Sequence, residues 1–426
     1  MTTKAPRICA LDNCNGYADG RSKYCTDAHR IENARREHRR RELDAEKPVA
    51  DRVEEERTRL RRREETKTLM QLQRSAAKRA EYIDVLREIV PTFPLTPYSD
   101  SARINKGNVA DIAWGIDLSD WQVGQHTPIQ STGGIYEQTT EIAARQLDKV
   151  WEAIKQIFDV EVGGGSKRLR ELWLNFIGDL IDGDCLRPAQ AGQIDMVVTR
   201  QVLEVCDLAG LFIRRCLSFP GIESIVIDMT GGNHDRTSAK AGNAGLGEID
   251  FVDTYAFLIG HWLKTAFRDE PRVDIKVWET FYGYRKFGGL RHAFEHGASF
   301  KGGSGAYGGV PWYPISNAAQ NYIKMLGGVD IVHMGHWHQP AILPLGQGGW
   351  VMMNGALPVS SQFIQSSFKG LRAPLQWMTE YNVKHEWVNN FYPLYADVGQ
   401  FAKAGTVWND ADEAQSDHGA RRSKRR

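Results

Sequence analysis

With 426 residues, 42% of them hydrophobic and 25% charged, the sequence has enough apolar content to bury one large core plus accessory segments. No apolar run approaches the roughly 18 residues that span a bilayer, and the first residues lack the apolar stretch of a secretory signal; a membrane span is excluded and a cytoplasmic location expected. The formal net charge of +1 hides an asymmetry: residues 1–90 hold 22 Lys+Arg against 17 Asp+Glu, the bias of a segment that meets a polyanion, although a solvated charged helix has the same composition.

Taken in chain order, residues 1–46 hold Cys9, Cys14 and Cys25, whereas Cys185, Cys206 and Cys216 are scattered. In a reducing compartment this spacing favours metal ligation for the cluster and ordinary packing for the rest. Cys9-x4-Cys14-x10-Cys25-x3-His29 offers four ligands suited to one structural zinc ion, against the alternative of three unconnected thiols. The string from Tyr24 to Arg30 resembles small zinc modules ending in Y-C-S-x-x-C-R, with His29 in place of the last Cys. Arg35, Arg36, Arg39 and Arg40 follow, placed to contact nucleic-acid phosphates unless the neighbouring Glu residues merely cancel their charge.

Residues 47–91 are dense in Arg and Glu with no apolar stripe until Tyr82, which predicts a solvated helix supported by Glu/Arg pairs four apart and interrupted at Pro48. Pro91, Pro94 and Pro97 mark residues 92–108 as a linker. The main domain, 109–397, alternates strand-like runs (112–118, 172–177, 222–229, 273–278, 290–296, 331–334, 350–354) with helix-like ones (137–158, 189–215, 251–267, 316–326), an α/β layering of helices around sheet. Residues 398–426 read as a disordered basic tail.

Within the main domain, strand ends run into short loops rich in Asp, Asn and His: Asp120–Trp121–Gln122, Gly178–Asp179–Leu180–Ile181–Asp182, Gly232–Asn233–His234–Asp235, His296–Gly297 and Gly335–His336–Trp337–His338. Ligands at the carboxyl ends of strands converge in space even when distant in sequence. A two-metal site needs such a mixture of carboxylate, amide and imidazole donors.

These five ordered blocks, spanning about 220 residues, resemble the D-x-H, G-D-x-x-D, G-N-H-D/E, H-G and G-H-x-H pattern of the calcineurin-like metallophosphoesterases. The resemblance implies a β-sandwich flanked by helices and a hydrolase with two divalent ions, manganese before magnesium, iron or zinc. It places Asp120, Asp179 and His338 on one ion, Asp179 as the bridge, and Asn233, His296 and His336 on the other. It further implies a hydroxide between the ions as nucleophile, His234 as acid or stabiliser, Asp235 orienting it through the other ring nitrogen, and Asp182 in support.

One position departs from the pattern: Gln122 stands where the family has His, a harder and weaker donor that favours manganese or magnesium, with His126 as a conceivable substitute. His261, His292 and His333 fall outside the blocks and read as packing residues or as support for the ligands. Looser likenesses, namely G-D-L-I-D and the Asn354–Gly355–Ala356–Leu357 loop, resemble the nuclease subunit of double-strand-break repair and related phage-encoded phosphoesterases. They imply a DNA exonuclease of a bacterial cell or its phage, with nucleic acid, a second copy or a partner ATPase as partners. Two other readings stay open: a phosphoesterase acting on a small phosphodiester, nucleotide or phosphoprotein, and a nucleic-acid-binding protein with a decayed site.

Overall fold

The computed structural model describes residues 7–8, 14, 17–18, 26–45, 49–96, 109–132, 134, 136–238, 251–300, 310–346, 348–361 and 371–398. It divides into two units, Met1–Tyr82 and Ile83–Arg426. In the first, β1 (Arg7–Ile8) pairs antiparallel with β2 (Tyr17–Ala18), and helix α1 (Asp27–Ala45) follows. Thr26 Oγ1 accepts the His29 N–H at 3.2 Å, satisfying one of the donors that a helix start leaves open. Helix α2 (Val49–Ile89) leaves Leu60, Leu69 and Met70 exposed. Its ion pairs Arg57–Glu54 and Arg59–Glu56 sit three residues apart rather than the four expected.

In the second unit the stretch expected to be a linker is packed over its first residues. Leu86 and Val90 are buried, and the Phe93 ring lies 4.9 Å from Phe267 and 5.9 Å, edge-on, from Trp262. The Phe93 N–H donates to Ala266 O at 3.0 Å, and Arg272 Nη2 donates to Thr96 O at 2.7 Å.

The centre of this unit is a pair of sheets. The six-stranded one contains β3 (Ala110–Leu118), β4 (Lys167–Ile177), β5 (Ser224–Thr230), β6 (Val273–Val277), β12 (Leu375–Asn382) and β13 (Trp387–Tyr395), in the order β13-β12-β3-β4-β5-β6. Strands β3 to β6 are mutually parallel, while β12 and β13 are antiparallel additions. The five-stranded sheet contains β7 (Tyr282–Phe287), β8 (Leu290–Glu295), β9 (Ile331–Met334), β10 (Ala341–Pro344) and β11 (Trp350–Met353), in the order β10-β11-β9-β8-β7.

Residues 112–118 of β3 and 172–177 of β4 are buried on both faces, which is why they read as continuous apolar runs rather than alternation. On one side they meet helices α3 (Thr140–Glu161), α4 (Val198–Leu217) and α5 (Tyr255–Ala266). Helix α3 buries Ile142, Leu147, Val150, Ile154 and Phe158, a 3.6-residue stripe, and starts where Thr139 caps the Ile142 N–H. On the other side Ala113, Trp173 and Tyr381 interdigitate with Phe287, Phe294, Ile331 and Met352 of the second sheet. Helix α6 (Trp312–Met325) covers that sheet's outer face. The result is a mixed α/β sandwich with helices outside both sheets, the layering expected from sequence.

Several elements differ from expectation. The run 189–215 is not one helix but a short 3-10 turn, Gln190–Gly192, followed by α4. It breaks where Asp195 turns its carboxylate to the Thr140 N–H (2.6 Å) and hydroxyl (2.7 Å). Strands β10, β12 and β13 gave no readable signal; β13 lies at a sheet edge and mixes polar and apolar residues on both faces. Among the described residues no helix is long and apolar enough to cross a membrane. The tail beyond Val398 lies outside the described residues.

Candidate metal centre

All five sequence blocks fall where strands of the sandwich end. Asp120 and Gln122 follow β3, Asp179 follows β4, and Asn233 to Asp235 follow β5; His296 follows β8, and His336 and His338 follow β9. Oxygen donors therefore come from the six-stranded sheet, while the three expected imidazole ligands come from the five-stranded one.

The loops are stitched together by backbone hydrogen bonds. Asp120 N–H donates to Gly178 O and Gln122 N–H to Asp179 O, each at 3.1 Å; between the ends of β8 and β9, Gly335 N–H donates to His296 O at 3.1 Å. Two glycines let the loops close. A Cβ on Gly232 would sit 2.1 Å from Asp179 Oδ1, and one on Gly335 would sit 2.5 Å from Asp120 Oδ2. Asp120, Gln122, Asp179, His336 and His338 all adopt positive φ, between 45° and 68°. Left-handed backbone at non-glycine residues costs energy and gathers at functional sites. Glu386 is the other described non-glycine residue with this backbone.

The donors converge in two groups. One ligand atom each of Asp179, His296 and His336 lies within 4.8 Å of the others, a spacing that could hold a metal ion. His296 Nδ1 donates to Ile177 O at 2.7 Å, which turns Nε2 to within 2.9 Å of Asp179 Oδ2. On the other side His338 Nε2 lies 3.3 Å from Asp120 Oδ1 and 3.1 Å from the Gln122 amide. The His336 N–H also donates to Asp120 Oδ2 at 3.0 Å. Gln122 thus lies beside His338, next to Asp120. His126 is half-buried, and its backbone N–H donates to Gln193 O at 2.8 Å.

Asn233 Oδ1 is buried and has no hydrogen-bond partner among the described residues, and the same holds for His338 Nδ1. A buried polar atom left unmade is expensive. The Asn233 carbonyl fits a cation at this point, and the donor set of carboxylate, amide and imidazole suits divalent first-row ions.

The electrostatics have the same cause. Burial disfavours a charged His296, but the Asp179 carboxylate outweighs it and pushes the imidazole up to about 10. His336, half-buried, is pushed down to about 3 by desolvation and by the charged His296 beside it. Burial works against an ionised Asp179, yet the charges of His296 and His234 hold its carboxyl well below the usual range. Protons here balance carboxylates that a metal would otherwise neutralise.

The expected role of Asp235 needs correction. His234 Nδ1 donates to Asp182 O at 2.6 Å and lies 3.4 Å from Asp182 Oδ1, with Gln190 Nε2 3.1 Å away. Asp182 therefore orients His234, while Asp235 Oδ2 accepts the N–H groups of Gly232 (2.7 Å) and Asp179 (2.9 Å). The short Gly-Asn-His-Asp spacing suits a loop clamp better than a grip on the adjacent ring. Burial and the Asp179 charge push Asp235 up to about 6. For His234, burial is outweighed by Asp179 and Asp182, and the ring is pushed up to about 9.

Sequence reasoning also missed the support behind Asp120. Ser119 Oγ donates to Asp120 Oδ2 at 2.6 Å and accepts from Asn354 Nδ2 at 3.0 Å, while Gln376 Oε1 accepts the Ser119 N–H at 2.9 Å. The Asn354–Leu357 loop was visible in the sequence; its contact with β3 was not.

Of the amino-terminal zinc candidates, Cys14 Sγ lies 3.5 Å from His29 Nδ1, and Cys9 and Cys25 lie outside the described residues. Arg35, Arg36, Arg39 and Arg40 are exposed on α1, with Arg36 paired to Glu32 at 3.0 Å. His261 packs on Phe257, ring centroids 4.3 Å apart, as expected of a packing residue.

No family model matches the sequence, and no curated protein matches it. Solved structures do. An archaeal phosphodiesterase is 10% identical, with 66% of this chain and 99% of that one covered at a TM-score of 0.27. A predicted phosphoesterase from Streptococcus pneumoniae is 12% identical, covering 66% and 98% at 0.25. Zinc-bound Vps29 from Entamoeba histolytica is 12% identical, covering 66% and 99% at 0.25. Similarity at this level says nothing of activity, substrate or metal for this chain.

Proposed function

We propose that this protein is a metal-dependent phosphodiester hydrolase with nucleic acid, foremost DNA, as its substrate. The observation that supports it most is the meeting of Asp120, Gln122, Asp179, His296, His336 and His338 from two sheets, five of them on left-handed backbone, with Asn233 Oδ1 in the loop after β5 buried and without a hydrogen-bond partner among the described residues. Asp120, Gln122, Asp179 and His338 would hold one divalent ion, and Asp179, Asn233, His296 and His336 the other. A pair of such ions, when bound, supplies Lewis acidity toward phosphoryl oxygens and activates water near neutral pH.

The chain's own residues do the rest. Asp182 fixes the His234 ring through Nδ1, leaving Nε2 for a proton that passes to the departing oxygen. Arg236, buried beside Asp235, has an Nε with no hydrogen-bond partner among the described residues, which suits it to a phosphate oxygen. The preference for DNA rests on the exposed arginines of α1. Residues 35 and 39, and likewise 36 and 40, are four apart and share a helix face.

The test is a digestion panel with the full chain and Mn²⁺ on bis-para-nitrophenyl phosphate and on end-labelled linear, circular and single-stranded DNA. The expected result is Mn²⁺-dependent shortening of DNA, with His234→Gln lowering the rate about 10²-fold and leaving Mn²⁺ affinity unchanged. Replacing the four α1 arginines with Ala should weaken DNA binding and flatten its salt dependence without changing hydrolysis of the small diester. Turnover of the small diester alone would assign the site to small phosphodiesters. Stoichiometric DNA binding without hydrolysis under any divalent ion would overturn the reading.

A further inference from the structure

Between the sheets, directly beneath the metal centre, three buried titratable side chains form a chain that the proposed chemistry does not use. Asp117 on β3 places Oδ2 2.7 Å from His333 Nδ1 on β9. His333 Nε2 lies 2.9 Å from His292 Nδ1 on β8, and His292 Nε2 lies 3.1 Å from Phe287 O. Each of the three is 3% exposed or less.

Donor and acceptor accounting fixes the direction of this chain. Phe287 O can only accept, so His292 Nε2 holds the hydrogen and Nδ1 is bare. His333 Nε2 must then donate to it. One further proton lies between His333 Nδ1 and Asp117 Oδ2, while Asp117 Oδ1 accepts from Asn175 Nδ2 at 2.9 Å. Burial and the adjacent His333 hold His292 well below its ordinary pKa, in keeping with a neutral ring. Trp173 closes the slot, its ring 4.8 Å from His292 and 5.2 Å from His333.

The placement relative to the metal centre is regular. Asp117 precedes Asp120 by three residues, His333 precedes His336 by three, and His292 precedes His296 by four. The chain thus ties the strand that delivers Asp120 and Gln122 to the two strands that deliver the imidazoles. We propose that Asp117, His333 and His292 are positioning residues that lock the register of the two sheets and so set the spacing between the oxygen and imidazole halves of the site.

This deepens the metal-centre reading and rests on it, but it can fail separately. Hydrogen-bond directionality makes Asp117→Asn the discriminating variant. An amide at position 117 can donate to His333 Nδ1 and still accept from Asn175, so it preserves every link, whereas Asp117→Ala and His333→Phe remove the cross-sheet bond.

The experiment is amide hydrogen exchange on the full chain without metal, followed by Mn²⁺ titration by calorimetry. Expected for Asp117→Ala and His333→Phe is faster exchange confined to residues 118–122 and 335–338, with α4 unchanged. Mn²⁺ affinity should fall on the order of 10- to 100-fold, the usual effect of removing residues that orient ligands, and turnover should recover at saturating Mn²⁺. Asp117→Asn should stay near the parent in all three measurements. Should Asp117→Ala not fold, His292→Phe keeps an aromatic ring in the slot and should quicken exchange at 335–338 alone. Parent-like exchange at both segments in the breaking variants, acceleration everywhere, or an Asp117→Asn as damaged as Asp117→Ala overturns the proposal. A parent that binds no Mn²⁺ sinks the metal reading, and the exchange data still decide the register lock.

Discussion

The two sheets contribute unlike chemistry to one site. The six-stranded sheet ends in carboxylates and amides, Asp120, Gln122, Asp179 and Asn233; the five-stranded sheet ends in imidazoles, His296, His336 and His338. Hard oxygen donors and borderline nitrogen donors are thus delivered by separate structural layers. Neither layer can build the proposed centre alone, and its proposed metal preference could be altered on one without rebuilding the other.

Asp179 is where the layers meet, so its loss should break the comparison outright. Asp179→Ala removes the carboxylate that faces His296 and accepts the His234 N–H at 2.7 Å. Both ions should be lost in calorimetry, and diester hydrolysis should fall by at least about 10³-fold, because Lewis acidity and activated water disappear together.

Gln122→His sharpens the comparison by placing an imidazole in the oxygen layer. The new ring would face His338, where the amide now lies 3.1 Å away. Expected is roughly tenfold tighter binding of Zn²⁺ with little change for Mg²⁺, since imidazole suits the former ion. Unchanged affinity for every ion would remove Gln122 from the ligand set.

The smallest effect concerns stability of the metal-free protein. His292, in the imidazole-bearing sheet, has a folded pKa depressed below 6.5 by burial and by His333. As pH falls below about 6.5 the unfolded chain takes up this proton first, so the stabilisation present at higher pH is progressively lost. His296 and His234, whose pKa values are raised, contribute with the opposite sign. The readout is therefore a difference. Urea unfolding of His292→Phe should depend on pH less steeply between 7 and 5 than the parent, by at most about 1.4 kcal/mol per pH unit. Equal slopes would mean that His292 takes up its proton as readily in the fold as in the unfolded chain.

Much of this site was legible because its chemistry is local. Gly178–Asp179 and Gly232–Asn233–His234 announce themselves as turns after apolar runs, and a run such as 172–177 between turn signals reads as a strand buried on both faces. What stayed hidden depends on partners far along the chain. Asp182 and Asp235 are equally plausible neighbours of His234 in sequence, and only the loop geometry assigns the first to the ring and the second to the backbone. His292, His333 and Asp117 sit on three strands from both sheets, so no spacing rule connects them. Phe93 looked like part of a linker because its partners Trp262 and Phe267 lie about 170 residues away. Strand β13 was missed because an edge strand has no single buried face to impose a period.

The left-handed backbone at Asp120, Gln122, Asp179, His336 and His338 has an evolutionary side. Each such residue burdens the fold by about 1–3 kcal/mol relative to a relaxed conformation, and glycine would relieve most of that at any of the five. Selection for heat resistance alone should therefore drift these positions toward glycine and away from activity. In this chain the five positions carry Asp, Gln and His, donors that glycine could not supply.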